Sequence, residues 1–444
     1  MTEWLITNAE LVNEGRRFHA DLRVRGGRIE RIDSKLGALA NERVFDANGR
    51  WLLPGMIDDQ VHFREPGLTH KADIEHESRA CVAGGITSYM EMPNTRPPAT
   101  NREALEAKYA RAAEVSRANY GFYLGATNDN LADIRTLDPK AAPGIKVFMG
   151  ASTGNMLVDD PATLEAIFRD APVPIITHCE DTPMILANEE KARARWGEDI
   201  PIEQHPLIRS REACMKSTLL ATSLARKHGT RLHVLHISTA EECALFEPGA
   251  VAGKRITAET CVHFLHFCDT DYARLGHLIK CNPAIKTAAD RDAITLALAE
   301  GRIDVLATDH APHLVTEKSA KYPRTPSGLP LVQYALQCAL ERVFEGKLTL
   351  ERVVEAVTHA PATLFNVHER GYLREGYHAD LVLVDPNLPH TVTASEVLSK
   401  CAWTPFEGTT FRSSIAATFV NGQLAWHDGK LDDTVRGARL QFAR

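Results

Sequence analysis

Residues 54–64 read Pro54-Gly55-Met56-Ile57-Asp58-Asp59-Gln60-Val61-His62-Phe63-Arg64. An apolar entry runs without a break into alternating polar and apolar positions. With a period of two, Asp58, Gln60, His62 and Arg64 share one face. Four polar side chains on one face of a buried strand are costly unless they meet partners, ligands or a metal. A solvated strand edge would avoid that cost, but it fits poorly behind Pro54-Gly55-Met56-Ile57. The stretch reads as a buried strand that ends in chemistry.

Working outward, this strand is the first of eight apolar segments. The others are Ile86 to Met92, Tyr120 to Leu124, Ile145 to Phe148, Pro174 to Thr177, Leu232 to Ile237, Ile256 to Ala258 and Ile303 to Ala307. Helical patterns lie between most of them. Arg102 to Ala118 and Arg211 to Lys227 carry apolar residues at three- and four-residue spacing, with charges opposite. This alternation predicts an α/β fold, a (β/α)8 TIM-type barrel. An open doubly wound sheet is the runner-up, but no GxGxxG turn follows the first strand and there is no P-loop.

Both ends of the chain read differently. Trp4 to Ile6, Ala20 to Val24 and Arg28 to Ile32 are short β-type runs, with Gly26-Gly27 as a hairpin turn. Asp380 to Asp385 and Ala416 to Val420 match them near the C-terminus, and Asn421-Gly422 is a strong turn signal. We expect a small β-sandwich domain formed by both termini, residues 1–54 with 378–444, beside a barrel over 55–377. A chain of 444 residues is in any case too long for one ordinary core.

Composition bounds the function classes. A formal charge of −7 with scattered Lys and Arg offers no footprint for nucleic acid. No apolar run approaches the roughly 20 residues a membrane span needs. The nine cysteines are odd in number and form no CxxC pair, which suggests reduced thiols. The start, Met1-Thr2-Glu3-Trp4-Leu5-Ile6, shows no signal-peptide pattern. The expectation is a cytoplasmic protein acting on a small molecule, with neither nucleic acid nor membrane as partner.

In a TIM-type barrel, chemistry sits at the C-terminal ends of the strands. Strand four holds Lys146 within Gly144-Ile145-Lys146-Val147-Phe148. A salt bridge or a snorkelling side chain would explain it; so would a desolvated amine of lowered pKa that adds CO2 to form a metal-bridging carbamate. Strand five ends in His178-Cys179-Glu180. In strand six, Leu232, Val234 and His236 share a face, so His236 is the candidate ligand and His233 the structural histidine. In strand eight, Val305, Ala307 and Asp309 face inward. One such histidine is more often a satisfied core residue than a ligand. His62, Lys146, His178, His236 and Asp309 from five strand ends are less easily coincidental, and imidazole with carboxylate suits zinc or a similar metal.

Four strings make the resemblance specific: Asp58–Gly67 (DDQVHFREPG), Glu91–Thr95 (EMPNT), Gly144–Thr153 (GIKVFMGAST) and Thr308–His313 (TDHAPH). The chain resembles the amidohydrolase superfamily and, within it, the long-form (class I-like) dihydroorotases, over nearly its whole length. The resemblance implies one or two zinc ions. His62 would sit on the more buried ion, carbamylated Lys146 would bridge both, His178 and His236 would hold the second, and Asp309 would touch the buried ion and the attacking water. It implies a substrate carboxylate held by Arg64, Asn94 and His313, with Asn282 a weaker candidate for contacting the pyrimidine ring. It further implies a dimer or larger assembly. There is one departure: the family has His-x-His on strand one, and here Gln60-Val61-His62 stands, which leaves open whether the first ion binds.

The reaction so implied is the reversible cyclisation of N-carbamoyl-L-aspartate to (S)-dihydroorotate in pyrimidine biosynthesis, with Asp309 as general base. The rivals are allantoinase, hydantoinase and a catalytically dead dihydroorotase-like subunit that scaffolds aspartate transcarbamoylase. Arg64 speaks against the first two and Gln60 for the third. The segment Leu314 to Ser327 is either a lid or a long loop.

Overall fold

In the computed structural model, residues 3–150 and 156–444 are described; the end of the string 144–153 lies outside the described residues. Eight strands run parallel: β1 (Met56–Val61), β2 (Ile86–Glu91), β3 (Asn119–Phe122, continued at Leu124–Gly125), β4 (Ile145–Phe148), β5 (Ile175–His178), β6 (Leu232–Val234), β7 (Ile256–Cys261) and β8 (Val305–Ala307). Nearly every residue in them is buried. Strands covered on both faces have no solvated side to mark with polar residues, which is why they read as apolar runs.

These strands form two parallel sheets, one of β1, β2 and the first part of β3, the other running from the second part of β3 through β4 to β8. β3 belongs to both: Tyr120 lies opposite Tyr89 of β2, and Leu124 opposite Ile145 of β4. At the far margins Val61 bridges His310 in the parallel sense, and the His62 amide donates to the His310 carbonyl at 2.7 Å. Helices alternate with the strands and begin at side-chain caps. Asn101 accepts from the Ala104 amide to open Arg102–Val115. Ser210 does the same for Ala213 at the start of Arg211–His228, which Gly229 closes at φ +67°. Among the described residues no helix is long and apolar enough to cross a membrane.

The two chain ends build one nine-stranded sheet. Its seam pairs Leu381–Asp385 antiparallel with Trp51–Pro54. The expected turns are present, with Gly26, Gly27, Asn421 and Gly422 all at positive φ, as type I′ hairpins require. Trp4 and Phe419 lie on strands three steps apart in this sheet, roughly 14 Å if it were flat. Their rings stand 5.5 Å apart, edge to face, so the sheet curls over a core of its own that includes Leu22, Leu52 and Leu381.

Two face assignments change. Asp58 does not share the face of Gln60, His62 and Arg64, because the register against β2 shifts between Asp58 and Val61. Asp58 turns to Thr308, whose hydroxyl donates at 2.6 Å, and Asp59 takes the enclosed side. In β6, His233 rather than Leu232 or Val234 points to that side, with Nε2 3.3 Å from Asp59 Oδ2. β1 and β6 are not neighbours, so this contact crosses the space the sheets enclose. His236 reaches the same side only because the chain leaves the strand after Val234 and adopts φ +42° at His236.

Candidate active site

All nine candidate residues come together toward the C-terminal ends of the strands, Lys146 and His178 from within β4 and β5. Gln60, His62, Arg64, Lys146, His178, His236, Asn282 and Asp309 line one cavity with Phe148 and Ser327, and Asn94 and His313 stand directly behind His62 and Arg64. Arg64, His236 and Asp309 all have positive φ (68°, 42° and 51°). Such conformations cost of order 1 kcal/mol or more for a side-chain-bearing residue and persist where the surroundings impose them.

The histidines are prepared as ligands. His178 Nε2 lies 2.8 Å from Glu180 Oε2, and Arg209 holds that same oxygen. Burial would raise the Glu180 carboxyl, but Arg209 and His178 outweigh it and keep it below the ordinary range. An ionised carboxylate only accepts, so His178 carries its proton on Nε2 and turns the Nδ1 lone pair to the cavity, 3.0 Å from His236 Nε2. Burial, with His178 and Lys146 nearby, holds His236 well below its usual range; burial also lowers His178 and His62. Neutral imidazoles are what a divalent ion binds.

The second pair repeats the logic. Asn94 Oδ1 is 2.8 Å from His62 Nδ1, so His62 turns its Nε2 lone pair toward Asp309 Oδ1 at 3.2 Å. A lone pair facing a carboxylate calls for a cation between them. Gln60 Nε2 donates to that same oxygen at 3.1 Å, and Gln60 Oε1 faces Cys261 Sγ at 3.9 Å. The amide hydrogens, not the amide oxygen, are thus turned toward the candidate ligands. Lys146 is 1% exposed, with Nζ 4.7 Å from the Phe148 ring centre. Burial pushes it down to about 8, against Asp309 and Glu259. At pH 7 about one such amine in ten is neutral, against fewer than roughly one in a thousand for an ordinary lysine. These donors fit a divalent metal.

Arg64, 4% exposed, donates from Nε to the Pro312 carbonyl at 3.2 Å, and its Nη2 lies 3.1 Å from His313 Nε2. Burial pushes it down only to about 10, so it stays a cation. Asn282 Oδ1 is buried without a hydrogen-bond partner among the described residues. The segment Leu314 to Ser327 is folded, and its last residue lines the cavity. It includes a helix at Val315–Lys318, and the Ser327 carbonyl lies 3.1 Å from His313 Nε2. Sequence reasoning missed Glu180, Arg209 and Lys71, whose Nζ is 3.1 Å from His313 Nδ1. Only Glu180 left a signal, two residues beyond His178 at the end of a strand.

The comparisons with known proteins agree with this geometry. The model of the amidohydrolase family matches residues 51–425. A dihydroorotase of Halobacterium salinarum is 36% identical over 427 residues, covering 94% of this chain and 96% of that protein. An allantoinase of Deinococcus radiodurans is 31% identical, covering 98% of each. The solved L-hydantoinase (dihydropyrimidinase) of Arthrobacter aurescens superimposes with a TM-score of 0.92 at 27% identity, over 97% of this chain and 98% of that one. Strands, cavity and relatives lead to one conclusion: the chain belongs to the amidohydrolase family, and it is a metal-dependent amide hydrolase.

Proposed function

We propose that this chain is a dihydroorotase, which closes N-carbamoyl-L-aspartate to (S)-dihydroorotate and in reverse opens that ring with water. We take the two parallel sheets, sharing β3 and meeting again at Val61 and His310, as one closed (β/α)8 barrel over 55–377. Residues 1–54 with 378–444 are then its companion β-sandwich. The observation that carries the substrate is Arg64: a buried, permanently charged fork in a cavity whose other cation, Lys146, is pushed toward neutrality. Dihydroorotate offers the ring carboxylate that such a fork binds bidentately. Allantoin and hydantoin do not.

His178 and His236 would hold one zinc ion, His62 and Asp309 a second, and Lys146 as its carbamate would bridge them. Zinc held there supplies Lewis acidity toward the carbonyl and brings the pKa of water toward ~7. Asp309 takes the proton of the attacking water and delivers it to the departing ring nitrogen. Gln60 and His62 both meet its Oδ1, which leaves Oδ2 for that proton. The Pro312 carbonyl fixes the guanidinium with the His313 ring beside it, Asn94 fixes the His62 ring, and Asn282 Oδ1 accepts a substrate N–H. Orienting the carbon against water in this way matters because a displacement of about 1 Å costs about 100-fold.

A panel of dihydroorotate, allantoin and hydantoin tests the reading. Loss of a charge-assisted bidentate contact, about 1.5–3 kcal/mol, predicts kcat/KM for dihydroorotate roughly 10- to 150-fold above the others. Turnover of allantoin or hydantoin without turnover of dihydroorotate would overturn it.

A further inference from the structure

One layer below this cavity, toward the N-terminal ends of the strands, Asp59 of β1, His233 of β6 and Glu259 of β7 converge, all with 0% exposure. One ligand atom from each lies within 4.8 Å of the others. His233 Nε2 is 3.3 Å from Asp59 Oδ2 and 3.6 Å from Glu259 Oε2. Donors around one tetrahedral ion, at bond lengths of about 2.0–2.1 Å, stand roughly 3.4 Å apart.

The hydrogen bonds around the cluster fix which His233 nitrogen always keeps its proton. His233 Nδ1 is 2.8 Å from Thr257 Oγ1, and that hydroxyl donates its single proton to the Leu232 carbonyl at 3.2 Å. Thr257 must therefore accept from Nδ1–H, and the second proton, which Asp59 and Glu259 favour by raising the ring to about 9, sits on Nε2; an ion that displaces it meets the Nε2 lone pair between two carboxylates. Both Asp59 oxygens, Glu259 Oε2 and His233 Nε2 have no hydrogen-bond partner among the described residues. The other Glu259 oxygen is tied, accepting from the His236 amide at 3.3 Å and facing Cys261 Sγ at 3.6 Å. The Tyr123 hydroxyl donates to the Asp59 carbonyl at 3.0 Å, which steadies that turn of β1. Unpaired carboxylates in such an interior are costly. Protons on His233 and on Glu259, whose carboxyl burial and Asp59 push well up, can answer for the two charges but leave these atoms without hydrogen-bond partners, whereas a divalent ion displaces the protons and uses every orphaned donor.

We propose that Asp59, His233 and Glu259 form a further divalent-cation site of zinc-like preference, distinct from the His178–His236 and His62–Asp309 pairs. The ion cross-links β1, β6 and β7 inside the sheets. With no donor exposed, it enters as the chain folds and leaves only when the chain opens. Through the Glu259 oxygen that meets the His236 amide, it also steadies the turn that aims His236 at the cavity. The site stands whether or not the chain acts on dihydroorotate.

Crystals of protein produced with zinc, measured across the zinc absorption edge, test this directly. The expected map has a peak between Asp59, His233 and Glu259, resolved from any peak at His178 and His236. Zinc content should fall by one ion per chain in Asp59→Asn and by a different ion in His178→Asn. If Asp59→Asn does not fold, the map of the unaltered protein decides alone. Zinc at the His178–His236 pair with none at Asp59, or nitrogen NMR showing both His233 ring nitrogens protonated in zinc-loaded protein, overturns the site. Dihydroorotate turnover is scored separately, so failure of one reading is visible apart from the other.

Discussion

Arg64 is held by the Pro312 carbonyl and by a backbone fixed at φ +68°, with the His313 ring packed against its Nη2. A guanidinium so constrained binds an anion without first losing rotamer freedom, which places its contribution in ground-state binding. Arg64→Met should raise KM for dihydroorotate about 10- to 150-fold, from the 1.5–3 kcal/mol of a charge-assisted contact, with kcat changed little. A fall in kcat at unchanged KM would instead place the arginine at the reacting carbon. Asp309→Ala should cost roughly 10²- to 10⁴-fold in kcat as the general base is lost; a variant keeping most of its activity would end the proton-transfer scheme. For Lys146 the prediction concerns pH. Burial pushes the amine down to about 8, and only its neutral form adds CO2. In protein stripped of metal and CO2, the rate of reactivation at fixed dissolved CO2 should rise about fivefold from pH 7 to pH 8, as the neutral fraction grows from roughly 0.1 to 0.5. A flat profile, or no carbamate mass on Lys146, would remove the bridging role.

At the scale of elements, the segment 314–327 beside the cavity is held by two buried lysines that donate to backbone. Lys318 Nζ reaches the carbonyls of Lys280, Pro326 and Gly328 at 3.0, 3.1 and 3.0 Å. Lys280 Nζ reaches those of Pro323 at 2.9 Å and Thr325 at 2.5 Å. Lys318→Met takes the ammonium donor from three carbonyls, of which that of Lys280 keeps the Gly328 amide at 2.9 Å, so the segment 314–327 should open to limited proteolysis and KM should rise, while the strands keep their protection. Cleavage unchanged from the unaltered chain would show the segment held by other contacts. Here the sequence yielded only composition, since backbone carbonyls leave no mark on residue type. The strands were far more legible: burial on both faces writes them as apolar runs, and Ile145–Phe148 and Ile175–His178 appear almost where read. Facing was less legible. A period of two holds only while the ladder is regular, and the shift between Asp58 and Val61 and the exit from β6 at Val234 both break it. His62 and His236 were nonetheless placed in the site, because position at a strand end, rather than parity, decides which side chains reach the cavity. Asp59 and His233 were misplaced for the same reason, and with them the deeper cluster.

At the scale of the molecule, the terminal sheet and the parallel sheets meet at Asp380, 4% exposed. Its Oδ2 is paired with Arg370 and accepts from Asn119 Nδ2 at 3.2 Å, while Oδ1 accepts from the Asn421 amide at 2.8 Å. Asn119 belongs to β3, and Asn421 is the turn residue of the terminal sheet, to which Asn119 Oδ1 is also bonded at 2.9 Å. One carboxylate thus joins a strand of the parallel sheets to a hairpin of the other sheet, with Arg370 as its buried counter-ion. Removing one partner of a buried pair strands the other, at about 3–5 kcal/mol, whereas removing both spares that penalty. Asp380→Ala should therefore lower the denaturation free energy by about that amount, and Asp380→Ala with Arg370→Met should recover much of it. Because the contact spans both sheets, probes in each should lose signal together in the unaltered chain and separate in Asp380→Ala. A tryptophan signal from Trp4, in the terminal core, that follows the same curve as far-ultraviolet dichroism in every variant would show that the two sheets are coupled elsewhere.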